Sequence, residues 1–546
     1  MYVPALWPAV LGALLAFAHA KPTRTVSLSR RAPESPAFVS VEGSDFVVNG
    51  APLKFVGTNA YWLHTLSETD LDKTLADIAA ADIKVVRTWA FNNVREIPNE
   101  GTWFQMIKNG NITLNEGPNG LQKLDKLVEL AEKHGIYLIL SLTNNWNPEG
   151  ADEGTTTGAN NTPLPRNSLS NDYGGMDTYI REFGLDTHDL FYTDNSLVSA
   201  FKDYASHIAK RYCKSTSVFS WELANDPRCN STIPSGSCNP KDITRWHADI
   251  SETIRSVDTN HLISSGAGGF YCADCPKLFP QLPPAPPPQV SPAPGSTANR
   301  RRSTRRFLTK AKVLRDRLEA RKKTRNAKRN VSGGGVAIRG RWAATATRRQ
   351  EDFNDVGPGF DGTYGVDSED ILNSPNMDFG SVQYFPDQNN YAPADPNLSP
   401  FENIVQQGNE WIQQHAQTAQ DFGKPVTLDA FGLVTQQNAP SFVPFNAASA
   451  PFGTDAFVTN EQQTQAYESW IDTGLSGGLS GVVQYQWGQE GLTPSAGTPI
   501  TTTTGSTGID TPTGATGVSP NDGYSINGVG RQDVVDVIAE GNQRFG

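Results

Sequence analysis

Eight short apolar runs set the strongest constraint on how this 546-residue chain can fold. They lie at 54–62, 83–89, 136–142, a fourth opening with Val218-Phe219, then 261–266, 377–385, 425–432 and 481–487. Runs this short and this uniformly apolar read as strands buried on both faces. Most are followed by a stretch of helical spacing: 68–81, 121–133, 195–212, the Trp246–Ile250 region, 402–421 and about 531–540. Strand–helix alternation of this kind predicts an α/β fold, a (β/α)8 barrel with long loop insertions. A doubly wound sheet is the rival, but no Gly-rich phosphate loop follows an early strand. Phe46-Val47-Val48 reads as part of a small N-terminal hairpin preceding the first core strand.

The fourth run is the most informative. It passes without a break into Ser220-Trp221-Glu222-Leu223-Ala224-Asn225-Asp226-Pro227, a strand ending in an amide, a carboxylate and a breaking proline. Polar and aromatic residues recur at the same end of other strands: Asn59, Arg87, Trp89, Asn144, Trp146 and Trp487. In a barrel such positions ring one mouth. Indoles stack on sugar rings, and amide, guanidinium and carboxylate groups bond sugar hydroxyls, so the pattern suggests a carbohydrate site. Any one of Trp62, Trp89 or Trp146 is equally well read as packing at the core rim.

Charge is unevenly spread. Residues 300–349 hold nineteen Lys/Arg and only Asp316 and Glu319 as acids. Without them, 27 basic residues face 55 acidic ones, a net of −28, which argues against nucleic acid as a partner. The segment 276–350, with its Pro283–Pro288 run, departs from the barrel pattern. It reads as a patch for anionic surfaces, as a loop without fixed structure, or as translated non-coding sequence, the last being favoured by its abrupt change in composition. A Thr/Ser/Gly/Pro stretch at 491–519 reads as a long surface loop.

Residues 1–20 have the apolar run and small-x-small ending of a secretory leader, which predicts a secreted, extracellular protein. Residues 21–41 then form a propeptide or flexible terminus, with Arg30-Arg31 as a dibasic pair, and 42–546 form the barrel domain. Export permits disulfides among Cys213, Cys229, Cys238, Cys272 and Cys275. Cys229 with Cys238 across a Ser/Gly/Pro loop is the favoured bridge, Cys272-x-x-Cys275 can close a tight loop, and Cys213 is left over. Sequons stand at Asn111, Asn230 and Asn330. No cofactor or metal motif stands out, no later run is long enough to span a membrane, and a monomer is expected.

The chain resembles fungal endo-β-1,4-mannanases of glycoside hydrolase family 5. The resemblance is carried by GTNAYWL (57–63), KVVRTWAFN (84–92), TNNW (143–146), DYGGMDTYIREFG (172–184) and WELANDPRC (221–229). It continues through WHADI (246–250), DTNH (258–261), FDGTYGVDSEDIL (360–372), DFGSVQYFPD (378–387), GKPVTLDAFG (423–432) and DGYSI (522–526). It implies a (β/α)8 retaining glycosidase acting on a β-linked polysaccharide or oligosaccharide without a cofactor. Two glutamates do the work in that family, an acid/base ending strand four and a nucleophile ending strand seven, with carboxyl groups about 5–5.5 Å apart.

Both positions depart from the family's pattern. The acid/base position is Asp226, one methylene short, and a displacement of about 1 Å can cost about a hundredfold in rate. The nucleophile position is Ala430, which has no atom to attack with. Asp429 beside it is the nearest substitute carboxylate, although strand alternation points it away from the sugar unless a bulge re-aims it. The family's His-x-Tyr after strand six aligns with Gln383 and Phe385, its strand-eight Trp with Tyr485, and an acidic pair after strand five with Ala267-Gly268. Substrate contacts implied by the resemblance and the mouth pattern are Asn59, Trp62, Arg87, Trp89, Asn144, Trp146, Asn225, Gln383, Phe385, Tyr485 and Trp487. Three readings stand open: a mannanase-like hydrolase, a non-catalytic β-glycan-binding descendant, and a glycosidase of altered mechanism, such as an inverting one with carboxylates about 6.5–9.5 Å apart.

Overall fold

The computed structural model describes residues 37–150, 164, 166–281, 307–331, 356–444, 457–494, 500–501, 516–526 and 531–545. The expected leader, the dibasic pair, most of the 276–350 insertion and most of the 491–519 loop lie outside the described residues.

Eight parallel strands make one sheet: β1 (Phe55–Asn59), β2 (Val85–Trp89), β3 (Tyr137–Ser141), β4 (Val218–Glu222), β5 (Leu262–Ser264), β6 (Gly380–Tyr384), β7 (Val426–Phe431) and β8 (Gly481–Gln484). Their order is β5-β4-β3-β2-β1-β8-β7-β6, and a parallel bridge from Ser264 to Phe379 joins the two ends. The closed (β/α)8 barrel expected from the strand–helix alternation is therefore present.

Side chains alternate as the pleat requires. In β2, Val85 turns into the barrel, Val86 packs against the surrounding helices, and Arg87 turns inward again. The lower interior is apolar, filled by Phe55, Val85, Tyr137, Ile139, Phe219, Phe379 and Val483. The expected hairpin is a three-stranded antiparallel sheet, Ser40–Glu42, Asp45–Val48 and Ala51–Leu53. It covers the end of the barrel where the strands begin. Phe46 from this sheet meets Phe219 and Phe379 edge-on at 4.9 and 5.0 Å between ring centroids. The polar mouth lies at the other end.

Among the helices are α1 (Glu68–Ala80), α2 (Leu121–His134), α3 (Asn195–Tyr212), α4 (Pro240–Val257), α5 (Ser368–Leu372), α6 (Pro400–Phe422), α7 (Asn460–Gly477) and α8 (Gln532–Phe545), with two short ones, Met176–Glu182 and Leu190–Thr193, between β3 and α3. Local sequence explains their ends. Asn239/Asp242, Ser399/Glu402 and Thr459/Gln462 form capping boxes at the starts of α4, α6 and α7. Gly135 and Gly423 take the left-handed turn that ends α2 and α6.

Part of the basic insertion is helical and packs against the barrel, unlike a loop without fixed structure. Its helix, Lys310–Val331, is anchored by buried Leu308 and Val313. The Leu308 N–H donates to both Glu369 oxygens at 3.0 Å, Lys312 reaches Asp421 at 3.3 Å, and Arg317 donates to the Val356 carbonyl at 2.8 Å. Positive charge in the insertion thus meets the acidic remainder of the chain. The disulfides Cys229–Cys238 and Cys272–Cys275 both form, with Cys213 free.

Between β4 and β5 the backbones nearly touch. Gly266 has φ +66°, and a Cβ there would lie 1.8 Å from the Ala224 carbonyl oxygen and 2.7 Å from Glu222 Cγ. Gly266→Ala is expected to cost about 3 kcal/mol or more, combining a strained backbone with a backbone clash. Denaturant unfolding checks this, and a wild-type midpoint would refute the close approach.

Candidate functional site

The floor of the mouth is a buried charge network. Arg87, from β2, donates through Nε and Nη2 to the two oxygens of Glu222, the last residue of β4, at 2.8 and 2.5 Å. Both side chains are essentially solvent-free, at 1% and 0% exposure. Nη1 donates to Asn59 Oδ1 at 3.1 Å, and Nη2 also reaches Asn225 Oδ1 at 2.8 Å. Burial works against the guanidinium charge, but Glu222, with Asp429 beyond it, holds its pKa above the usual arginine value. Arg87, which alternation alone leaves facing Ala430, is thus fully engaged from below.

Asp429 is inside the barrel: Leu428 packs among the helix-facing residues, so alternation puts Thr427 and Asp429 on the inward face, and an extra residue in β7 then returns Ala430 to that face as well. Leu428 pairs with Val382 and Ala430 with Gln383, so Asp429 is skipped in the register. Its Oδ1 is bonded by the Thr427 hydroxyl. The side chain is wholly buried next to Glu222 and does not line the cleft. Asp429 thus lies in the floor, and among the described residues the carboxylates lining the cleft are Asp226 and Asp522, neither at the end of β7 where Ala430 stands.

Above the floor, Asn225 Oδ1 also accepts from Gln383 Nε2 at 3.0 Å, while Asn225 Nδ2 donates to Asn144 Oδ1 at 2.8 Å. Asp226 sits at φ +51°, a left-handed conformation that aspartate tolerates better than most residues, with its N–H held by the Gly266 carbonyl at 2.8 Å. Both of its oxygens are engaged. Arg228 Nε donates to Oδ1 at 2.9 Å and Arg228 Nη2 lies 2.8 Å from Oδ2, which also accepts from Trp146 Nε1 at 2.9 Å. The Arg228 guanidinium lies 4.6, 4.8 and 5.4 Å from the ring centres of Phe270, Tyr364 and Trp146. It also bonds Asn389 at 3.0 Å.

The structure brings Arg87, Trp89, Trp146, Asn225, Asp226, Gln383, Phe385, Ala430 and Tyr485 to the cleft surface. Asn59, Trp62, Asn144 and Trp487 are not in its lining. Asn59 braces Arg87 and the carbonyls of Asp429 and Gln484, Trp62 belongs to the helix-facing core, and the Trp487 indole donates to Gln489. These are packing and bracing residues, in keeping with the core-rim alternative for Trp62. His247, in the WHADI stretch, is also buried, bonded to the Ile243 and Ser265 carbonyls and pushed down to about 4 by burial.

The residues missed by sequence reasoning are Glu222, Arg228, Ser170, Asn171, Gln388, Asn389, Asp522 and Tyr524. Glu222, Arg228, Asp522 and Tyr524 stand within the matching stretches WELANDPRC and DGYSI, so the signal was present without a direction. Ser170 and Asn171 come from the polar insertion after β3, and their placement depends on the fold. Open space at the cleft floor is about 50 Å³, well below the roughly 300–1,000 Å³ of typical small-molecule sites. Among the described residues, no three His, Cys, Asp or Glu side chains gather as a metal set, and no helix is long and apolar enough to cross a membrane.

Indoles, amides and a strand-four carboxylate around the mouth of a (β/α)8 barrel define a glycosidase-type protein. The sequence pattern of the Cellulase family (glycosyl hydrolase family 5) matches residues 48–451, and the chain belongs to this family. It is 36% identical to mannan endo-1,4-beta-mannosidase A of Aspergillus aculeatus over 236 residues, 43% of this chain and 55% of that protein. Identity to the Podospora anserina protein of the same name is 38% over 236 residues, with the same shares. The chain thus spans about half the length of the curated relatives it matches. Its fold is similar to that of the endo-1,4-beta-mannanase from Rhizomucor miehei, with a TM-score of 0.57 at 22% identity, covering 93% of this chain and 100% of that one.

Burial first, then the adjacent Glu222 carboxylate, keeps the proton on Asp429 well above the usual carboxylate range. Above about pH 4 the unfolded chain has released this proton while the folded chain retains it. Stability contributed by this group therefore falls as pH rises from there toward the raised folded pKa. Asp429→Asn is expected to flatten that fall, as read by urea unfolding of both proteins from about pH 4 to pH 8. Parallel stability curves would rule out the assigned proton.

Proposed function

We propose that this protein is a secreted β-glycan-binding member of the family, descended from endo-β-1,4-mannanases, that has lost retaining hydrolysis. The observation that carries this reading is the methyl group of Ala430. It stands in the cleft where a nucleophilic carboxylate is needed, while Glu222 and Asp429 lie sealed beneath it. Retaining chemistry needs two carboxylates on the sugar side, about 5–5.5 Å apart. Asp226 is the acid left at strand four, and Arg228 and Trp146 occupy both its oxygens. An inverting reaction would need an Asp226 oxygen free to protonate the leaving group and a second carboxylate to activate water, so the clamp on Asp226 disfavours that reading as well.

A β-mannan is the favoured ligand class, because the matched curated relatives are mannan endo-1,4-beta-mannosidases. Indoles and amides in the lining are suited to stacking on sugar rings and bonding their hydroxyls. The leader-like start and the two disulfides support export.

Incubated with β-mannan, glucomannan and cellulose, the native protein is expected to bind mannan saturably and to release no reducing ends. The double substitution Asp226→Glu, Ala430→Glu is expected to bring measurable release, since it restores both carboxylates. Release by the native protein at rates comparable to a mannanase would overturn the proposal.

A further inference from the structure

The wall of the cleft opposite Asp226 holds a carboxylate for which the fold has no evident use. Asp522 lies in the segment 518–526, which runs back along the end of β8. Backbone bonds between Gln486 and both Tyr524 and Ile526 hold this segment, and Asn438 adds a side-chain bond to the Ser525 carbonyl. In the barrel order, β8 stands four strands from β4 in either direction, so Asp522 faces Asp226 across the mouth. The Tyr485 and Ser170 hydroxyls both donate to Asp522 Oδ2, each at 2.8 Å. Oδ1 has no hydrogen-bond partner among the described residues, in a side chain that lines the cleft and is only 7% exposed.

Leaving a buried carboxylate oxygen unpaired costs free energy, so the arrangement calls for an explanation. Its two donors show how it is aimed. Tyr485 stands where the resemblance to mannanases places a stacking indole, and a phenol there can hold an acid by a hydrogen bond that an indole ring face cannot make. Ser170 comes from the insertion after β3. Three segments far apart in sequence thus converge to present one oxygen at the cleft.

We infer that Asp522, aimed by Tyr485 and Ser170, is a binding residue for a hydroxyl group of a neutral β-linked hexopyranose. This rests on the β-glycan-binding reading above and adds the residue that selects for sugar hydroxyls. A sugar hydroxyl can both donate and accept, so it satisfies Oδ1 whether the acid is ionised or protonated. Burial raises the pKa of Asp522, against the opposing effects of Ser170, Tyr485 and nearby backbone N–H groups, so the free protein holds this group at a cost that a ligand would relieve. Reaching Oδ1 requires the same small opening of the narrow floor that any sugar ring needs.

The test is calorimetric titration of the full chain with β-1,4-mannohexaose and cellohexaose, beside thermal unfolding. Asp522→Asn, which exchanges a charge-assisted hydrogen bond for a neutral one, is expected to weaken the tighter of the two interactions several-fold to about tenfold. Its Tm is expected to stay the same or rise, because a strained buried acid is removed. Tyr485→Phe and Ser170→Ala, which each remove one aiming bond, are expected to weaken binding several-fold, and they provide the answer if Asp522→Asn does not fold. Unchanged affinity in these variants overturns the inference while leaving the β-glycan-binding reading intact. Affinity and Tm falling together overturns it in favour of a structural role. Failure of the native protein to bind either oligosaccharide overturns this inference and the proposed function together.

Discussion

The buried pair of Arg87 and Glu222 is the contact on which the site depends. Two charges at 2.5 Å with almost no solvent access are tolerable only when every donor and acceptor around them is matched. Asn59 and Asn225 supply two of those matches, and their positions at the ends of β1 and β4 follow from that demand. Removing either charge would leave the other uncompensated in a low-dielectric interior, a loss of about 3–5 kcal/mol in comparable cases. The network sets the depth of the cleft floor, and everything that touches a ligand lies above it.

This arrangement keeps Arg87 compensated with an alanine, Ala430, at the end of β7. A carboxylate at position 430 would have been one partner for Arg87, but Glu222 neutralises the guanidinium from the side of the core. Loss of the nucleophile therefore leaves no orphaned charge behind. The added cost sits at Asp429, which shares the same interior and whose proton is retained by burial and by Glu222. On the rim, Arg228 closes over Asp226 and stacks among three aromatic rings. The Arg87–Glu222 floor and the Arg228–Asp226 rim are each paired internally, and the open space between them is small.

Much of this was legible from local signals. Strand runs, capping residues and left-handed glycines are read within a few residues, and the barrel followed from their alternation. Asn225, Asp226 and Ala430 were found because they stand at strand ends inside recognisable stretches. Asp429 was misdirected because alternation allows only one of two neighbours to face inward, whereas the extra residue in β7 lets both Asp429 and Ala430 do so. Trp62 and Trp487 resembled sugar platforms for the reason that indoles serve equally well as core and as binding surface, and only burial separates the two.

By itself, the sequence determined the order of eight strands and their helices, the shortening of the strand-four acid, and the loss of the strand-seven nucleophile. Those are properties of residue type and local spacing. Tertiary structure decided which charges meet. Arg87 and Glu222 are 135 positions apart, and Ser170 and Asp522 are 352 apart. Nothing in either local stretch indicates the partner, because barrel closure, the bulge in β7 and the path of the loops bring these groups within bonding distance. Residue type at positions 226 and 430 is written in the sequence, but what the cleft can hold depends on contacts that exist only in the folded molecule.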